Sequence, residues 1–587
     1  MARSARPGDD SLTLTFTIHH FRRRLSSLTR MSTSLSPKPP SAASSSLLAE
    51  LPSGLSTPSR DPATSDEAQA LALAKQLEKE VKQKERAEKK AAAKLSKPPP
   101  GPAVAATPLF LPREWAEVQG LKKLDVEGRK VSIMTWNMLA QALVRRELFP
   151  GSDFLKGGQR LPTLMAEIMH YAPDIACLQE VDRLPAHLPI LSTTYSYTSF
   201  IGYPNKAHGL LIAYKESVFE KAGQRGLRLD ELPLIDSATT PTPPPPSSPA
   251  RSSSDIMADE FLVWPPLPSI HGDSYDPTTS AAKSARRAAG LSRSTRNVAL
   301  MVALKFKDRE GGIIIATTHL FWHPQHVFER ARQTGILLRE LRRFRDDNPE
   351  WQDWPAFLAG DLNTQPCEST YRLIMGLPLT DAQEEELDRS TVVHESVDKL
   401  HDKAHVSTPK VEWKEGDPPK ESLHTSKVIR NSRPGEEADG LVGLAALREL
   451  FAQSQGIRSA YGEAFGKIPS EERSWYSDRS PEVGIPSGPT EEDPEIVRKR
   501  KDGTWEERVR RGDFEPKWSN FTPMWRCTLD YIFLLPPATV QAPTAKPPPR
   551  FTSLLKIHPD ATLGGGLPKL GVEPSDHISI ASLVELF

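Results

Sequence analysis

The sequence predicts an α/β protein in which packed β-sheets carry helices on their outer faces. From residue 116 onward, short apolar runs typical of strands alternate with segments whose apolar residues recur at helical spacing. Repeated alternation of this kind favours a layered fold of sheets and helices. The chain has 55 prolines among its 587 residues, and many are concentrated in a few segments that cannot pack. We therefore expect one large domain with disordered interruptions, not several domains.

The strands are predicted from short runs rich in β-branched and aromatic residues. In chain order these runs are 131–137, 174–180, 208–214, 297–306, 312–322, 355–363, 528–535 and 577–586. Apolar residues at helical spacing predict helices at 160–172, at 327–347 and near 368–375. Pro173 ends the first of these helices because proline cannot continue the hydrogen-bond ladder.

The domain organisation follows from composition. Residues 1–115 are predicted to form a disordered, low-complexity tail with a charged helix at about 66–97. The folded domain is predicted at 116–587, with disordered insertions at about 236–292 and 385–440. The first insertion starts with a proline-rich stretch that could dock an SH3- or WW-type domain, and the tail is a second candidate for protein partners.

Charge and cysteine usage exclude several classes of protein. Lysine plus arginine and aspartate plus glutamate number 75 each, so net charge provides no general attraction to nucleic acid. Three isolated cysteines predict buried thiols, with no disulfide framework and no zinc site. No apolar run approaches the roughly 20 residues of a membrane span. We expect an intracellular protein of the cytoplasm or nucleus, while the arginine- and serine-rich start keeps a mitochondrial location open.

Polar side chains stand where the apolar runs begin or end, and they identify a candidate site. They are Asn137, Glu180, His319, Asp361, Asn363, Asp530, Asp576 and His577. The first runs end in such residues, whereas the last two begin with them, so strands of opposite direction would bring all of them to one rim. Acids, amides and histidines without a cysteine cluster suit a hard divalent cation and a phosphate ester.

Phosphodiester hydrolysis requires charge neutralisation on the phosphate oxygens and a positioned water. Glu180, helped by Asn137, could hold Mg²⁺ through oxygen ligands, with Asp576 completing the metal environment. Mn²⁺ could substitute for Mg²⁺. Taken singly, each of these residues has an ordinary structural explanation, such as a solvated strand end or an Asx turn. Only their joint pattern indicates chemistry.

The remaining residues of the set have predicted catalytic roles. Asp361 could orient and deprotonate a water molecule, with Asn363 fixing its geometry. His577 could contact the scissile phosphate while Asp530 holds the other ring nitrogen.

Six segments resemble the ordered motif set of the endonuclease/exonuclease/phosphatase superfamily. They are TWNML, CLQEVD, TTHLFWHP, LAGDLNTQP, TLDYIFLLP and VEPSDHISI. THLFWHP with Gln333 downstream, and LGVEPSDH, are more similar to the branch that includes deadenylases, nocturnin, the Angel proteins and the fungal Ngl-type RNA exonucleases. The resemblance spans roughly 130–587 outside the insertions, and six motifs in order are far more specific than any one.

The resemblance implies a four-layer α/β sandwich, with two facing mixed β-sheets flanked by helices and an active site on one rim. It also implies Mg²⁺-dependent phosphodiester hydrolysis. It assigns the roles given above, with Asp576 as the second acidic residue and His319 as a phosphate contact. The chain has no leucine-rich-repeat pattern, which favours the Ngl type within the branch.

Four further residues are candidate substrate contacts: Asn297, His208, His323 and Trp322. Asn297 and His208 each precede a predicted strand and could equally be turn residues. Trp322 and Tyr531 could stack on a base, although aromatic residues in strands are more often part of the core.

The function predicted from these observations is a metal-dependent 3′→5′ exoribonuclease that releases 5′-nucleotides from single-stranded RNA 3′ ends. One alternative is a phosphodiesterase or 2′-phosphatase acting on a small adenine-containing molecule, because the fold accepts many phosphate esters. An alternative of another class is a catalytically silent binding platform. The complete set of acids, amides and histidines argues against that platform.

Overall fold

The structure of the chain is a computed structural model. The structure describes residues 109–235, 279–398, 429, 431–452, 456–464, 467–469, 472, 505–536 and 547–587. The charged helix predicted at 66–97 and the proline-rich start of the first insertion lie outside these residues.

The described strands and helices alternate along the chain. The strands are β1 (Trp115–Glu117), β2 (Arg129–Asn137), β3 (Ile175–Val181), β4 (Tyr195–Phe200), β5 (Gly209–Lys215), β6 (Phe219–Arg228), β7 (Val298–Phe306), β8 (Gly312–Thr318), β9 (Ala356–Asp361), β10 (Val392–His394), β11 (Ser432–Pro434), β12 (Arg458–Ser459), β13 (Asn520–Phe521), β14 (Arg526–Cys527), β15 (Asp530–Leu534), β16 (Arg550–Leu555) and β17 (Ile580–Leu586). The α-helices are α1 (Gly157–Tyr171), α2 (Leu184–Leu191), α3 (Ser280–Ala289), α4 (Val327–Asp346), α5 (Ser369–Ile374), α6 (Asp381–Arg389), α7 (Leu444–Ala452), α8 (Ala460–Ala464), α9 (Trp505–Arg510) and α10 (Asp560–Leu563). None of the helices described here is long and apolar enough to cross a membrane.

Two mixed sheets form the centre of the fold. One has the strand order β1-β16-β17-β2-β3-β5-β4 and the other has the order β12-β15-β9-β8-β7-β6. The pairs β2–β3 and β8–β9 are parallel, whereas β17–β2 and β15–β9 are antiparallel. The start of β15 therefore meets the end of β9, with Asp530 opposite Asp361. The predicted meeting of strand starts and strand ends at one rim is confirmed for this pair.

Alternate residues of each strand face two different cores, as the period of two in a strand requires. Between the sheets, Ile133 and Cys177 of one sheet share a cluster with Val302 and Ile315 of the other. Helix α4 covers the outer face of the second sheet, and α1 covers the outer face of the first. The layers are therefore helix, sheet, sheet and helix, which confirms the predicted sandwich.

The predicted strands and helices are present, with shifted boundaries at two places beside the rim. Strand β8 ends at Thr318 and not at residue 322, and a last isolated parallel bridge joins His319 to Asp361, with Leu320 N–H donating to the Asp361 carbonyl. Strand β17 begins at Ile580 and not at residue 577, because Ile578 N–H donates to the carbonyl of Ser519. Each boundary leaves a histidine in an isolated bridge, His319 with Asp361 and His577 with Asn520.

Some residues of the expected disordered segments are folded. Helix α3 lies within the predicted insertion 236–292, where its small apolar residues Ala282, Ala285 and Ala289 are buried. Strands β10 and β11 pair within the predicted insertion 385–440. Alanine-rich and charged segments can thus pack when a neighbouring element covers them, and composition alone does not show that cover.

Arg113 and Cys367 also differ from expectation. Arg113, placed by composition in the tail, is only 7% exposed. Cys177 and Cys527 are buried as expected, whereas Cys367 is exposed.

A buried charge cluster supports the outer side of the first sheet. Arg113 Nη2 lies 2.8 Å from Glu167 Oε1, and Arg113 Nε lies 3.5 Å from Glu573 Oε1. Ser579 Oγ also donates to Glu167 at 2.8 Å. Burial and the charge of Glu573 raise the pKa of Glu167 to about 8, although Arg113 acts to lower it. A single arginine therefore faces two carboxyl groups, and at neutral pH Glu167 keeps its proton.

Glu167→Gln is expected to change how stability depends on pH. A carboxyl group whose folded-state pKa is raised stabilises the fold fully below its unfolded pKa, about 4.5, and this contribution is lost as the pH rises through about 8. Glutamine keeps the shape and does not titrate. The free energy of unfolding of the wild type relative to the variant should therefore fall between about pH 5 and pH 8 in urea denaturation. Parallel pH profiles for the two proteins would contradict the assignment.

Candidate active site

Glu180 is presented by a bulge near the end of β3. The pairing of β3 with β5 shifts register between Leu178 and Val181, and Glu180 has a φ of 56°. A left-handed conformation is unfavourable for a glutamate, so neighbouring contacts must hold it. One such contact is the backbone N–H of Ala140, which donates to Glu180 Oε2 at 2.8 Å. The bulge places a strained and largely buried carboxylate at the rim.

Asn137 joins two carboxylates of the site. Its Nδ2 donates to Glu180 Oε1 at 3.1 Å and to Asp361 Oδ2 at 3.0 Å. Its Oδ1 accepts from the backbone N–H of Leu139 at 3.0 Å. The oxygen of this amide is thus engaged locally, while its nitrogen holds the acids. Asn137 therefore supports both acids, and its predicted place at the metal stays a prediction.

Asp361 stands at the end of β9 and is 1% exposed. The backbone N–H of Asn363 donates to Asp361 Oδ1 at 2.9 Å, and the side chain of Asn363 donates to the carbonyl of Leu320, also at 2.9 Å. Asn363 has a φ of 46°, a conformation that asparagine tolerates better than most residues. Asn363 therefore fixes both the Asp361 carboxylate and the chain that follows His319.

His577 and Asp530 form a tight buried pair. His577 Nδ1 lies 2.7 Å from Asp530 Oδ2, and Ser519 Oγ donates to the same oxygen at 2.6 Å. His577 Nε2 lies 3.6 Å from Asp361 Oδ2. Burial acts to lower the pKa of His577, but Asp530 and Asp361 raise it well above its usual value. The ring is thereby oriented, and it is held as a cation facing Asp361.

His319 lies between the two carboxylates joined by Asn137. Its Nδ1 is 3.6 Å from Glu180 Oε1 and its Nε2 is 3.6 Å from Asp361 Oδ2. Its ring centroid is 6.4 Å from that of His208, whose pKa burial lowers to about 4. His208 is therefore a neutral neighbour of the site at physiological pH.

Asp576 precedes His577 and faces the same group of charges. Burial raises the pKa of its carboxyl; His577 lowers it, Glu180 raises it and Arg160 lowers it. The backbone of this segment is held on both sides: Phe521 N–H donates to the Asp576 carbonyl at 2.9 Å, and Trp136 Nε1 donates to the His577 carbonyl at 2.9 Å. Asp576 thus belongs to the rim, as expected.

The other predicted substrate contacts differ in exposure and in hydrogen bonding. Asn297 Nδ2 donates to Gln333 Oε1 at 3.1 Å, so this amide is engaged in the fold. His323 Nδ1 accepts from the backbone N–H of Gln325 at 3.3 Å. Trp322 is 61% exposed, three residues after His319. Tyr531 is 1% exposed and its hydroxyl donates to the carbonyl of Thr364, so the idea that it stacks on a base is wrong.

The donors at the rim fit a hard divalent cation. By proximity alone, Asp361, Asp530 and His577 could hold a metal, since one ligand atom from each lies within 4.8 Å of the others. Asp530 Oδ2, however, already binds His577 and Ser519. Glu180 Oε1 and Asp361 Oδ2 both accept from Asn137 Nδ2, and His319 lies 3.6 Å from each of them. Two buried carboxylates so close together favour a cation such as Mg²⁺, whose preferred ligands are oxygens.

Several supporting residues were not found from the sequence. Gln179 Nε2 donates to Thr135 Oγ1 and to Thr317 Oγ1, both at 2.9 Å, and so ties the two sheets together beneath the rim. Ser519 and Arg160 hold other parts of the site. The sequence does contain an indication of the role of Arg160, since this arginine occupies a position of the buried stripe of α1, where apolar residues are expected. A charge in such a stripe indicates a buried polar network.

A sandwich of two mixed sheets, with carboxylates, an amide and histidines converging at one rim, defines a class of layered α/β proteins with an acidic pocket at the sheet edge. The chain belongs to the Endonuclease/Exonuclease/phosphatase family, whose model matches residues 134–577.

Similar proteins include two fungal relatives and one solved structure. A probable RNA exonuclease of Schizosaccharomyces pombe is 29% identical over 315 residues, which cover 52% of this chain and 51% of the relative. RNA exonuclease NGL2 of Saccharomyces cerevisiae is 29% identical over 281 residues, covering 43% of this chain and 44% of the relative. The chain thus spans about half the length of these relatives. The crystal structure of ANGEL2, a 2′,3′-cyclic phosphatase, in complex with adenosine-2′,3′-vanadate, is 17% identical and covers 81% of this chain and 99% of that chain, with a TM-score of 0.44.

Proposed function

We propose that the chain is a metal-dependent 3′→5′ exoribonuclease that releases 5′-nucleotides from single-stranded RNA. The observation that carries this proposal is the convergence of Glu180, Asp361 and His577 at one rim. Asn137 Nδ2 donates to both carboxylates, and His577 Nε2 lies 3.6 Å from Asp361 Oδ2. Family membership and the names of the two fungal relatives support a phosphodiester of RNA as substrate.

The residues divide the work of hydrolysis among themselves. Glu180 and Asp576 would hold Mg²⁺, with Asp361 beside them, and the bound ion supplies charge neutralisation at the phosphate oxygens. Asp361 orients a water molecule and accepts its proton as the water oxygen bonds to phosphorus. The bond from phosphorus to the 3′ oxygen breaks, and this oxygen takes a proton from solvent. The RNA then ends in a 3′-hydroxyl, and the released nucleotide carries a 5′-phosphate.

Two histidines face the phosphate in this scheme. His577 is held as a cation by Asp530, so its Nε2 can donate to a non-bridging oxygen and stabilise the developing charge. His319, between Glu180 and Asp361, is placed to contact a second phosphate oxygen.

The proposal is tested with purified full-length protein and a panel of substrates. We expect Mg²⁺-dependent shortening of 5′-labelled oligo(A) and of a mixed-sequence RNA, with 5′-nucleotides as products and no reaction in EDTA. A 2′,5′-linked oligoadenylate and a phosphorylated adenine dinucleotide test the small-molecule alternative. If these two compounds are turned over while the RNA stays uncut, the small-molecule alternative replaces the exoribonuclease proposal. If neither they nor the RNA are turned over, a silent binding platform is favoured.

Trp322→Ala is expected to weaken RNA binding with little effect on folding. The ring is 61% exposed, on a segment anchored to the site by hydrogen bonds of Leu320 to Asp361 and Asn363. Stacking of a base on an aromatic ring typically contributes about 1–3 kcal/mol, so we expect KM for oligo(A) to rise about tenfold or more while kcat changes little.

The control for Trp322 uses the substrate as well as the protein. Trp322→Phe keeps an aromatic face and should retain most of the affinity. With an oligonucleotide whose last three residues lack bases, wild type and Trp322→Ala should show the same KM. Equal effects on the complete and the abasic substrates would show that the ring does not stack on a base.

A further inference from the structure

Arg160 links the two chain segments that build the metal side of the site. It lies in the first turn of α1 and is 2% exposed. Its Nη2 donates to the carbonyls of Met138 and Leu139 at 2.5 and 2.7 Å, and its Nε donates to the carbonyl of Pro574 at 2.5 Å. The first two acceptors follow β2, whereas the third stands two residues before Asp576.

Arg160 and the site residues bind opposite ends of the same two peptide groups: Arg160 binds the carbonyl, and a site residue accepts from the N–H. The Leu139 carbonyl and the Ala140 N–H belong to one planar peptide group. Arg160 holds its oxygen, and its N–H donates to Glu180 Oε2 at 2.8 Å. The preceding peptide group has the same arrangement, with the Met138 carbonyl bound by Arg160 and the Leu139 N–H bound to Asn137 Oδ1. Orientation of the guanidinium therefore sets the orientation of two hydrogen bonds at the site.

The backbone between these two peptide groups needs such a restraint. Leu139 has a φ of 54°, a left-handed conformation that costs a residue with a side chain about 1–2 kcal/mol. Without Arg160, Leu139 can relax towards the extended region, and relaxation rotates the Ala140 N–H away from Glu180. The carboxylate would then lose one of the contacts that hold it in its own strained conformation.

Charge adds a second connection. Arg160 interacts electrostatically with Asp576 and Glu180, and although burial lowers its pKa to about 10, it stays protonated at neutral pH. Arg160 and Glu180 also line a common cavity of about 100 Å³, together with Asp182, Arg183 and His187. A small cation can therefore fit in this cavity beside the position of the Arg160 guanidinium group.

We propose that Arg160 is a positioning residue that fixes Glu180 and Asp576 in the geometry that binds the metal ion. The proposal rests on the proposed function only in the choice of a divalent cation as ligand. Outer partners of metal ligands typically contribute 10- to 100-fold to metal affinity, and a loss of this size is expected when Arg160 is removed.

The test measures metal binding directly on the full-length protein. Mn²⁺ is titrated calorimetrically into wild type, Arg160→Met and Arg160→Lys. We expect the dissociation constant to rise 10- to 100-fold in Arg160→Met. Arg160→Lys should also bind more weakly, because an ammonium group cannot reproduce three directed hydrogen bonds. In activity assays, the Mg²⁺ concentration for half-maximal rate should rise in parallel, whereas KM for RNA stays the same.

Arg339→Met is the matched control for a structural effect. Arg339 lies in α4, its side chain is 9% exposed, and it also donates to two backbone carbonyls, those of Leu234 and Pro233. This variant should lose stability in urea denaturation and keep the wild-type Mn²⁺ affinity. In Arg160→Gly, added guanidinium at millimolar concentration should partly restore Mn²⁺ binding through the cavity.

The outcomes separate the two proposals. If Arg160→Met is destabilised like Arg339→Met and binds Mn²⁺ as the wild type does, or if Arg160→Lys binds Mn²⁺ as tightly as the wild type, the positioning role is refuted. Should Arg160→Met fail to fold, Arg160→Lys decides alone. A wild type that binds Mn²⁺ but cleaves no RNA would refute the exoribonuclease proposal and leave the Arg160 result interpretable.

Discussion

Asp361→Asn is expected to lower kcat for RNA hydrolysis about 100-fold or more at saturating Mg²⁺. The substitution removes the charge that would accept a proton from water, and the loss of one electrostatic contributor of this kind typically costs that much. Its carboxylate accepts hydrogen bonds from Asn137 Nδ2 and from the Asn363 N–H, so an amide can satisfy only one of these two donors. Steady-state kinetics on 5′-labelled oligo(A) measures the effect.

Asp174→Asn is the matched control for Asp361→Asn. Asp174 precedes the opposite end of β3 and accepts hydrogen bonds from the backbone N–H of Ser132 and from Lys215 Nζ. Its replacement loses comparable contacts far from the rim, so some stability should be lost while kcat stays within about twofold of the wild type. If both variants lose activity to the same degree, or if Asp361→Asn is as fast as the wild type, the role given to Asp361 is wrong.

Glu180→Gln is expected to abolish the response to Mg²⁺ as well as most of the activity. The variant keeps an acceptor for the Ala140 N–H but lacks the negative charge that a divalent cation requires. We expect a loss of activity of about 100-fold or more, together with loss of the Mg²⁺-induced rise in the thermal unfolding midpoint. A ligand present at 100 times its dissociation constant stabilises a protein by about 2.7 kcal/mol, so this rise is measurable in the wild type.

Glu340→Gln is the control for removal of a buried glutamate. The Glu340 side chain is 2% exposed and pairs with Arg339 on α4, in the outer helical layer. This variant should unfold at a lower temperature and still be stabilised by Mg²⁺ as much as the wild type. A Glu180→Gln protein that keeps both the Mg²⁺ response and the activity would remove Glu180 from the metal site.

Much of the fold could be read from local sequence patterns. The short apolar run 297–306 and the helical spacing in 327–347 are properties of neighbouring residues, and both elements form as predicted. Boundaries next to the rim could not be read in this way. His319 belongs to an apolar run by sequence, yet β8 ends before it, and a single isolated bridge to Asp361 joins it to β9.

Candidate site residues were predictable to the extent that their chemistry is unusual for their position. Asp361 and Glu180 interrupt apolar runs, and this interruption is visible in the sequence. Exposure was not visible in the sequence. Tyr531 and Trp322 are both aromatic residues of predicted strands, but Tyr531 is buried in the core and Trp322 is exposed at the rim. Which of two similar rings meets solvent depends on what packs over it.

By itself, the sequence determined the alternation of strands and helices, the oxygen-rich set of candidate ligands and the family resemblance. Each of these is recognised within short segments of the chain, from residues that are neighbours in sequence. Only the tertiary structure decided that Asn137 bridges two carboxylates, that Glu180 adopts a left-handed conformation and that Arg160 binds the carbonyls of Met138, Leu139 and Pro574. Arg160 and Pro574 are 414 positions apart, and Asn137 and Asp361 are 224 apart. Contacts at such separations follow from how the sheets stack and where strands bulge, and these depend on packing across the whole domain.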